Sequence, residues 1–283
     1  VMGFSRRSIV DALVRAYHRG VHLRFVGNAR HAFGTVRGYL EMDRLNVPTQ
    51  VGNQNHIMHD KFFIIDSRFT ITGTGNITST GFSRNDNNWV FVDSPQVAAD
   101  FTAEFEQMFS GRFGFAKKAM DNGNSYTVGE TDVEVYFSPQ EDAMGRILEA
   151  VENAQESIEF FIFAFTKDQL GSLFISKHQE FQRYNQCCDP DQAAERDPNA
   201  CGEVTCEMPF RPRFVRGVID RSQLHSNGPY HEVYRLLAFG VPVRMDGNDN
   251  SRQPGDYQAG GGRQHAKTLV IDGKTDRPVV LTG

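Results

Sequence analysis

One tryptophan and four cysteines stand among 283 residues, and no apolar run reaches the roughly 18 residues of a membrane-spanning helix. A helical span is therefore excluded from this stretch. An excess of positive charge is lacking too. Thirty Lys and Arg against 35 Asp and Glu leave a net −5, which argues against a dedicated duplex-DNA binder. With 26 Gly, 11 Pro, 39% hydrophobic and 23% charged residues, the chain is not collagen-like, a coiled coil or a disordered tract. Phenylalanine is plentiful at 23 residues, so aromatic packing rests on it. The length suits two structural units or one large one, either able to bury a substantial core.

Charge is unevenly spread. Residues 1–44 hold eight Arg against Asp11, Glu41 and Asp43, whereas residues 130–210 hold seventeen acidic and five basic side chains. The acidic block reads as a solvated face; the arginines face an anionic substrate or line the outside of a helix. Cys187, Cys188, Cys201 and Cys206 all fall in one polar, turn-rich stretch. Such crowding suggests a local staple of two disulfides, of unknown pairing, and an oxidising compartment. A zinc site and free thiols are the alternatives, though the vicinal pair lacks the C-x2–4-C spacing of zinc ligands.

The chain repeats itself imperfectly. Residues 2–5 (MGFS) match 163–166 (FAFT), Asn46-Val47-Pro48 matches Gly240-Val241-Pro242, and MHDKFFIID at 58–66 matches QHAKTLVID at 264–272. The offset grows along the chain, which implies two insertions in the second half. One is the cysteine loop, 182–212; the other is a Gly-rich run that includes Gly260, Gly261 and Gly262. Between the anchors, Ser8 to Arg19 reads as a helix capped by Ser8 and Asp11 and closed by Gly20, and residues 21–26 alternate like a strand. Ser94-Pro95 opens a helix with Val97, Phe101, Phe105 and Met108 on one face, and Ser138-Pro139 with Glu141 opens another. SIEFFIFAF at 157–165 reads as a strand covered on both faces. Strands alternating with helices, twice over, predict an α/β fold with a first half at 1–128 and a second at 129–283. The first half has no counterpart of 133–162, and the second stops at Gly283, which aligns with Gly73; the chain reads as a fragment cut at both ends.

His59-x-Lys61-x4-Asp66 and His265-x-Lys267-x4-Asp272 share one spacing at equivalent places in the repeat. Nine His, seven Lys and twenty Asp give about 0.016 such matches by chance. Residues two apart on a strand share a side, so His59 projects with Lys61 and His265 with Lys267. The alternate face then packs Phe62 and Ile64, or Thr268 and Val270. Each Asp has the opposite parity and is expected to anchor structure. Halves folded face to face would bring two imidazoles and two ammonium groups together. Two like charges require an anion between them, and a phosphodiester is the natural candidate. An imidazole with an ordinary pKa of about 6.5 serves as nucleophile or general acid. In Gly73-Thr74-Gly75-Asn76, Thr74 and Asn76 can offer a hydroxyl and an amide to phosphoryl oxygens; a plain turn is the other reading. His56, three residues before the first motif, could line the same cleft.

On these residues the sequence resembles the phospholipase D superfamily, the two-HKD phosphodiesterases. The resemblance runs over nearly the whole chain, including TGFSRNDNNWVFVDSPQVAADFTAEFEQMF at 80–109. It implies a bilobal α/β/α sandwich of two pseudo-symmetric halves that works without metal or cofactor. His59 is then the nucleophile that forms a phosphohistidine, and His265 the acid and base. Lys61, Lys267, Thr74 and Asn76 are the phosphate clamp, and Asp66 and Asp272 complete the catalytic motifs. Asn87 stands where the family places a Glu that orients a motif His; its amide oxygen can accept a hydrogen bond but brings no charge. A second G-[ST]-x-N segment is missing, because the sequence stops at Gly283.

The leading reading is a phosphodiesterase that hydrolyses or transphosphatidylates phospholipid head groups at a membrane surface. It would act as a monomer without an obligate protein partner, outside the cytoplasm or secreted. A nuclease of the same superfamily, cutting DNA or RNA, is the alternative; only the Arg-rich first 44 residues offer the basic cleft it needs. A phosphatidyltransferase would differ only in accepting an alcohol. A non-catalytic binding protein of this fold is a further alternative, supported by Asn87 and opposed by the intact His and Lys of both motifs.

Overall fold

Apolar residues three and four apart make Arg7–His18 a helix, α1, which buries Val10 and lays Ile9, Leu13 and Val14 on the core behind it. Gly20, at φ 90°, ends it as expected, its amide returning to the Tyr17 carbonyl at 2.9 Å. The expected Ser8–Asp11 cap does not form. Asp11 instead accepts from the Arg37 guanidinium at 3.0 Å, a partner 26 residues away that local spacing does not reveal. The computed structural model describes residues 1–32, 36–52, 55, 57–120, 124–227, 231–246 and 262–283. They form two compact units, Val1–Ala143 and Met144–Gly283. His56, Gly260 and Gly261 lie outside the described residues.

In the first unit, the strand expected over 21–26 is confined to β1 (Phe25–Gly27). After α2 (Ala29–Ala32) and α3 (Arg37–Arg44) comes its parallel partner β2 (Thr49–Val51), which offers three residues for pairing. Strands β3 (Phe62–Ile65), β4 (Phe69–Gly73) and β5 (Trp89–Asp93) form an antiparallel sheet, with α4 (Ser79–Ser83) between the last two. Helix α5 (Pro95–Phe109) starts where the sequence predicts: Ser94 Oγ accepts the Val97 amide at 3.3 Å, and Pro95 takes a first-turn position that needs no amide. Phe101 of this helix meets Phe62 edge-on at 5.1 Å between ring centres and Phe137 at 5.0 Å. Burying such a ring is worth about 2 kcal/mol. The hairpin of β6 (Ser125–Val128) and β7 (Thr131–Glu134) completes the unit.

The helix expected from Ser138 begins only at Ala143 (α6, Ala143–Glu152). The Glu141 carboxylate is taken by the amides of Phe137 and Met120, at 2.6 and 2.9 Å, and so opens no helix. Then follow β8 (Ser157–Ile162), α7 (Asp168–Cys188), α8 (Pro198–Cys201), β9 (Phe214–Ile219), α9 (Arg221–Asn227), α10 (Val233–Ala238), β10 (Val243–Met245), β11 (Lys267–Ile271) and β12 (Val279–Thr282). The sheet runs β10-β9-β8-β11-β12; β10, β9 and β8 are parallel, and β11 is antiparallel to both neighbours. One face carries Ile158, Phe160, Val215, Ile219, Leu269 and Ile271 into a core shared with Phe174 and Phe181 of α7. Gly217 is required there, since a Cβ would lie 2.2 Å from the Phe160 ring.

The other face is not covered as the apolar run predicts. Glu159 pairs with Arg216, and Phe161 is 40% exposed. The run reads as continuous only because Phe161 occupies the open side of an alternating strand. Strand β11 corrects a second expectation: Leu269 and Ile271, in phase with Lys267, are core, while Thr268 meets the Thr282 hydroxyl across the sheet at 3.2 Å. Phe62 and Ile64 of β3 pack inward as expected.

All four cysteines are oxidised, Cys187 to Cys201 and Cys188 to Cys206, so the zinc and free-thiol alternatives fall. Adjacent residues on a helix point about 100° apart, so the vicinal pair ending α7 reaches two different partners. The bridges enclose Tyr184, Val204 and Phe210 in a small separate core, with the Arg213 guanidinium 3.6 Å over the Tyr184 ring. Two such bridges suit an oxidising compartment. No described helix is long and apolar enough to cross a membrane.

Candidate functional site

Lys61 stands at the mouth of β3, 5% exposed, with its ammonium turned back on the carbonyl of His59. A buried ammonium is costly unless its donors are met, and this carbonyl meets one of the three. His59 itself is exposed on the loop before the strand. Thr74 follows the end of β4, buried; its hydroxyl lies 3.0 Å from Asn87 Oδ1 and 3.2 Å from Asn88 Oδ1, and it accepts the Asn88 amide at 3.2 Å. Asn87 donates through Nδ2 to the Gly81 carbonyl at 2.9 Å, which fixes its amide plane beside Thr74. Gly75 lets the chain pass the Trp89 indole, where a Cβ would come within 2.6 Å. Asn76 comes next, and its Oδ1 is buried with no hydrogen-bond partner among the described residues.

Asp66 plays a different part. With Ser67 it makes a two-residue hairpin turn, at φ 55° and 52°, closed by the Arg68 amide on the Ile65 carbonyl at 3.1 Å. Asp tolerates this left-handed backbone better than most residues, and its carboxylate is exposed.

The second motif repeats the construction within the second unit. Lys267 opens β11, and its Nζ lies 2.7 Å from the His265 carbonyl and 3.1 Å from His265 Nδ1. Burial pushes this ammonium down to about 8. His265 is buried, and its ring lies 4.7 Å from that of Phe163 at an interplanar angle of 49°. Asp272 is an anchor: at φ 51°, its carboxylate accepts the backbone amides of Gln155, Glu156 and Ser157 at 2.7 to 3.2 Å. It thereby fastens the end of β11 to the start of β8.

The sequence reading missed two residues beside His265. Phe163 was aligned with Met2 in the repeat, and that exchange of an aromatic for Met was the available signal. Gln264 is 3% exposed with both side-chain amide atoms unpartnered among the described residues, while its backbone amide is held by Asp246 at 2.8 Å. Among the described residues, no three His, Cys, Asp or Glu side chains gather as a metal site. Of the eight arginines in residues 1–44, Arg7 and Arg37 pair with Asp11, Arg24 with Glu106 and Arg44 with Glu41.

Residues 1–109, which hold the first motif, Thr74, Asn76 and Asn87, match the family described as cardiolipin synthase, PLD-like domain. The chain is 25% identical over 126 residues to the mitochondrial cardiolipin hydrolase of Drosophila melanogaster, covering 38% of this chain and 50% of that protein. It is 28% identical over 102 residues to the phospholipase D of Rickettsia conorii, covering 35% of this chain and 50% of that one. The chain thus spans about half the length of these relatives. The polyphosphate kinase of Porphyromonas gingivalis superposes on 99% of the chain and 39% of its own length, with a TM-score of 0.52 and 9% identity, a likeness of fold alone. The first motif, Thr74, Asn76 and Asn87 fall inside the matched segment, and these likenesses support the phospholipase D superfamily.

Proposed function

We propose that the protein is a metal-independent phosphodiesterase of phospholipase D type, acting on phospholipid head groups as a monomer outside the cytoplasm. The observation that carries this reading is the like construction of the two motifs. Each places a His two residues before a Lys at the mouth of a strand, with the Lys ammonium turned back on the His carbonyl. Both motifs then act on one phosphodiester in a bilobal protein. His59 attacks phosphorus as the P–O bond to the head group breaks, and His265 gives its proton to the departing oxygen. His265, now neutral, takes a proton from water or an alcohol whose oxygen attacks phosphorus, and the P–N bond to His59 breaks. Lys61, Lys267, Thr74 and Asn76 hold the phosphoryl oxygens, and Asn87 holds Thr74 and steadies the motif His. The pairing of Arg7, Arg24, Arg37 and Arg44 with carboxylates leaves fewer free cations for a polyanionic strand, which favours lipid over nucleic acid.

Rapid quenching with a phospholipid labelled at phosphorus tests the covalent step. An acid-labile, base-stable label on the peptide containing His59, absent from His59→Ala, is the expected result. A label on the His265 peptide would reverse the roles, and no label on either would contradict the covalent mechanism.

A further inference from the structure

We infer that Phe163 is the positioning residue of the second motif: its ring is the wall that holds the His265 imidazole in place for proton transfer to the leaving group. This inference rests on the proposed acid role of His265. The placement begins in the backbone. The Phe163 amide donates to the carbonyl of Ala266 at 3.1 Å, so the aromatic residue is tied to the one residue between His265 and Lys267. The ring centre then lies 4.7 Å from the imidazole and 5.2 Å from Lys267 Nζ, with the Arg263 guanidinium 5.9 Å away. The Lys267 ammonium, 3.1 Å from His265 Nδ1, opposes a second positive charge there. An aromatic face attracts positive charge, so the ring eases that opposition while it restricts the imidazole rotamer. The desolvation that lowers the Lys267 ammonium works in the same small space. In the repeat, Met2 stands where Phe163 does, and His59 stands exposed. A nucleophile that must reach phosphorus and an acid that must hold a proton are thus built differently on one pattern.

Two readouts test this. The first compares kcat on a choline-headed phospholipid, whose alkoxide needs a proton, with kcat on a p-nitrophenyl phosphodiester, whose phenolate does not. Phe163→Leu is expected to lower the first by about tenfold or more, a part of the ~10²–10⁴-fold general-acid contribution, and to leave the second within about threefold. Phe163→Tyr is expected to restore it. Equal losses on both substrates, or no loss on either, would overturn the inference. The second readout does not need activity: the His265 ring resonances in NMR spectra of labelled protein. Phe163→Leu is expected to remove their ring-current shift and split or broaden them, with those of His59 unmoved. A single, sharp, unshifted His265 signal in that variant would overturn the inference. If the wild type cleaves neither diester, the proposed function fails, and the NMR result still decides whether the ring holds the imidazole.

Discussion

In the proposed mechanism Lys267 sets activity against stability. An unfolded chain keeps this proton up to about 10.5, whereas burial makes the folded protein release it near about 8. Between those values the unfolded state binds more protons, so this group's contribution to stability rises with pH in that window and is most unfavourable below it. Lys267→Met is therefore expected to raise Tm at pH 7 while abolishing head-group release; a lowered Tm would show that the ammonium is well compensated. In the wild type, kcat/KM is expected to fall as pH rises through about 8, because the free enzyme loses a clamp charge there. The two motif aspartates make a second contrast. Asp272→Ala strips three backbone amides of their acceptor and is expected to cost about 3 kcal/mol in urea denaturation. Asp66→Ala should cost only about 1 kcal/mol, the penalty of a left-handed backbone, and Asp66→Gly close to none. Activity per folded molecule should survive in both Asp66 variants. The His–Lys spacing was legible because it is local and repeats. The anchoring by Asp272 was anticipated from parity, but its partners at 155–157 are more than a hundred residues away and invisible to any local pattern.

Among the elements, the start of α5 was legible to the residue because its signal, Ser94 followed by Pro95, is satisfied by neighbours in sequence. Helix α1 kept its extent but not its cap, since Asp11 found a stronger partner in Arg37. Strand β1 shrank to the length of its partner, a limit set by tertiary pairing. The faces of β8 and β11 were misread for a related reason: periodicity says which residues share a side but not which side has a helix on it. The cysteine loop was legible as a disulfide staple and illegible in its pairing, which depends on where α7 ends. Replacing Cys188 and Cys206 by Ala together is expected to destabilise the second unit by about 3 kcal/mol, the usual effect of opening a loop of this size. The first unit has no cysteine, so its unfolding is expected to be insensitive to dithiothreitol. Equal sensitivity of residues 1–143 to the reductant would contradict this expectation.

At the scale of the whole molecule, two units each carry one histidine–lysine pair at a strand mouth, and residues 1–109 of the first match the family described as cardiolipin synthase, PLD-like domain. The account stands on the claim that both pairs serve one phosphodiester. A protein in which one motif were vestigial would tolerate its loss; a two-motif enzyme cannot, because attack and protonation belong to the same transition state. The most direct test is head-group release from mixed phospholipid vesicles in EDTA, with His59→Ala and His265→Ala beside the wild type and the fold of each checked by Tm. The account expects release that survives the chelator and falls by at least about 10²-fold in each variant. Undiminished release in either variant, or no release from vesicles while a nucleic acid is cut, would contradict it.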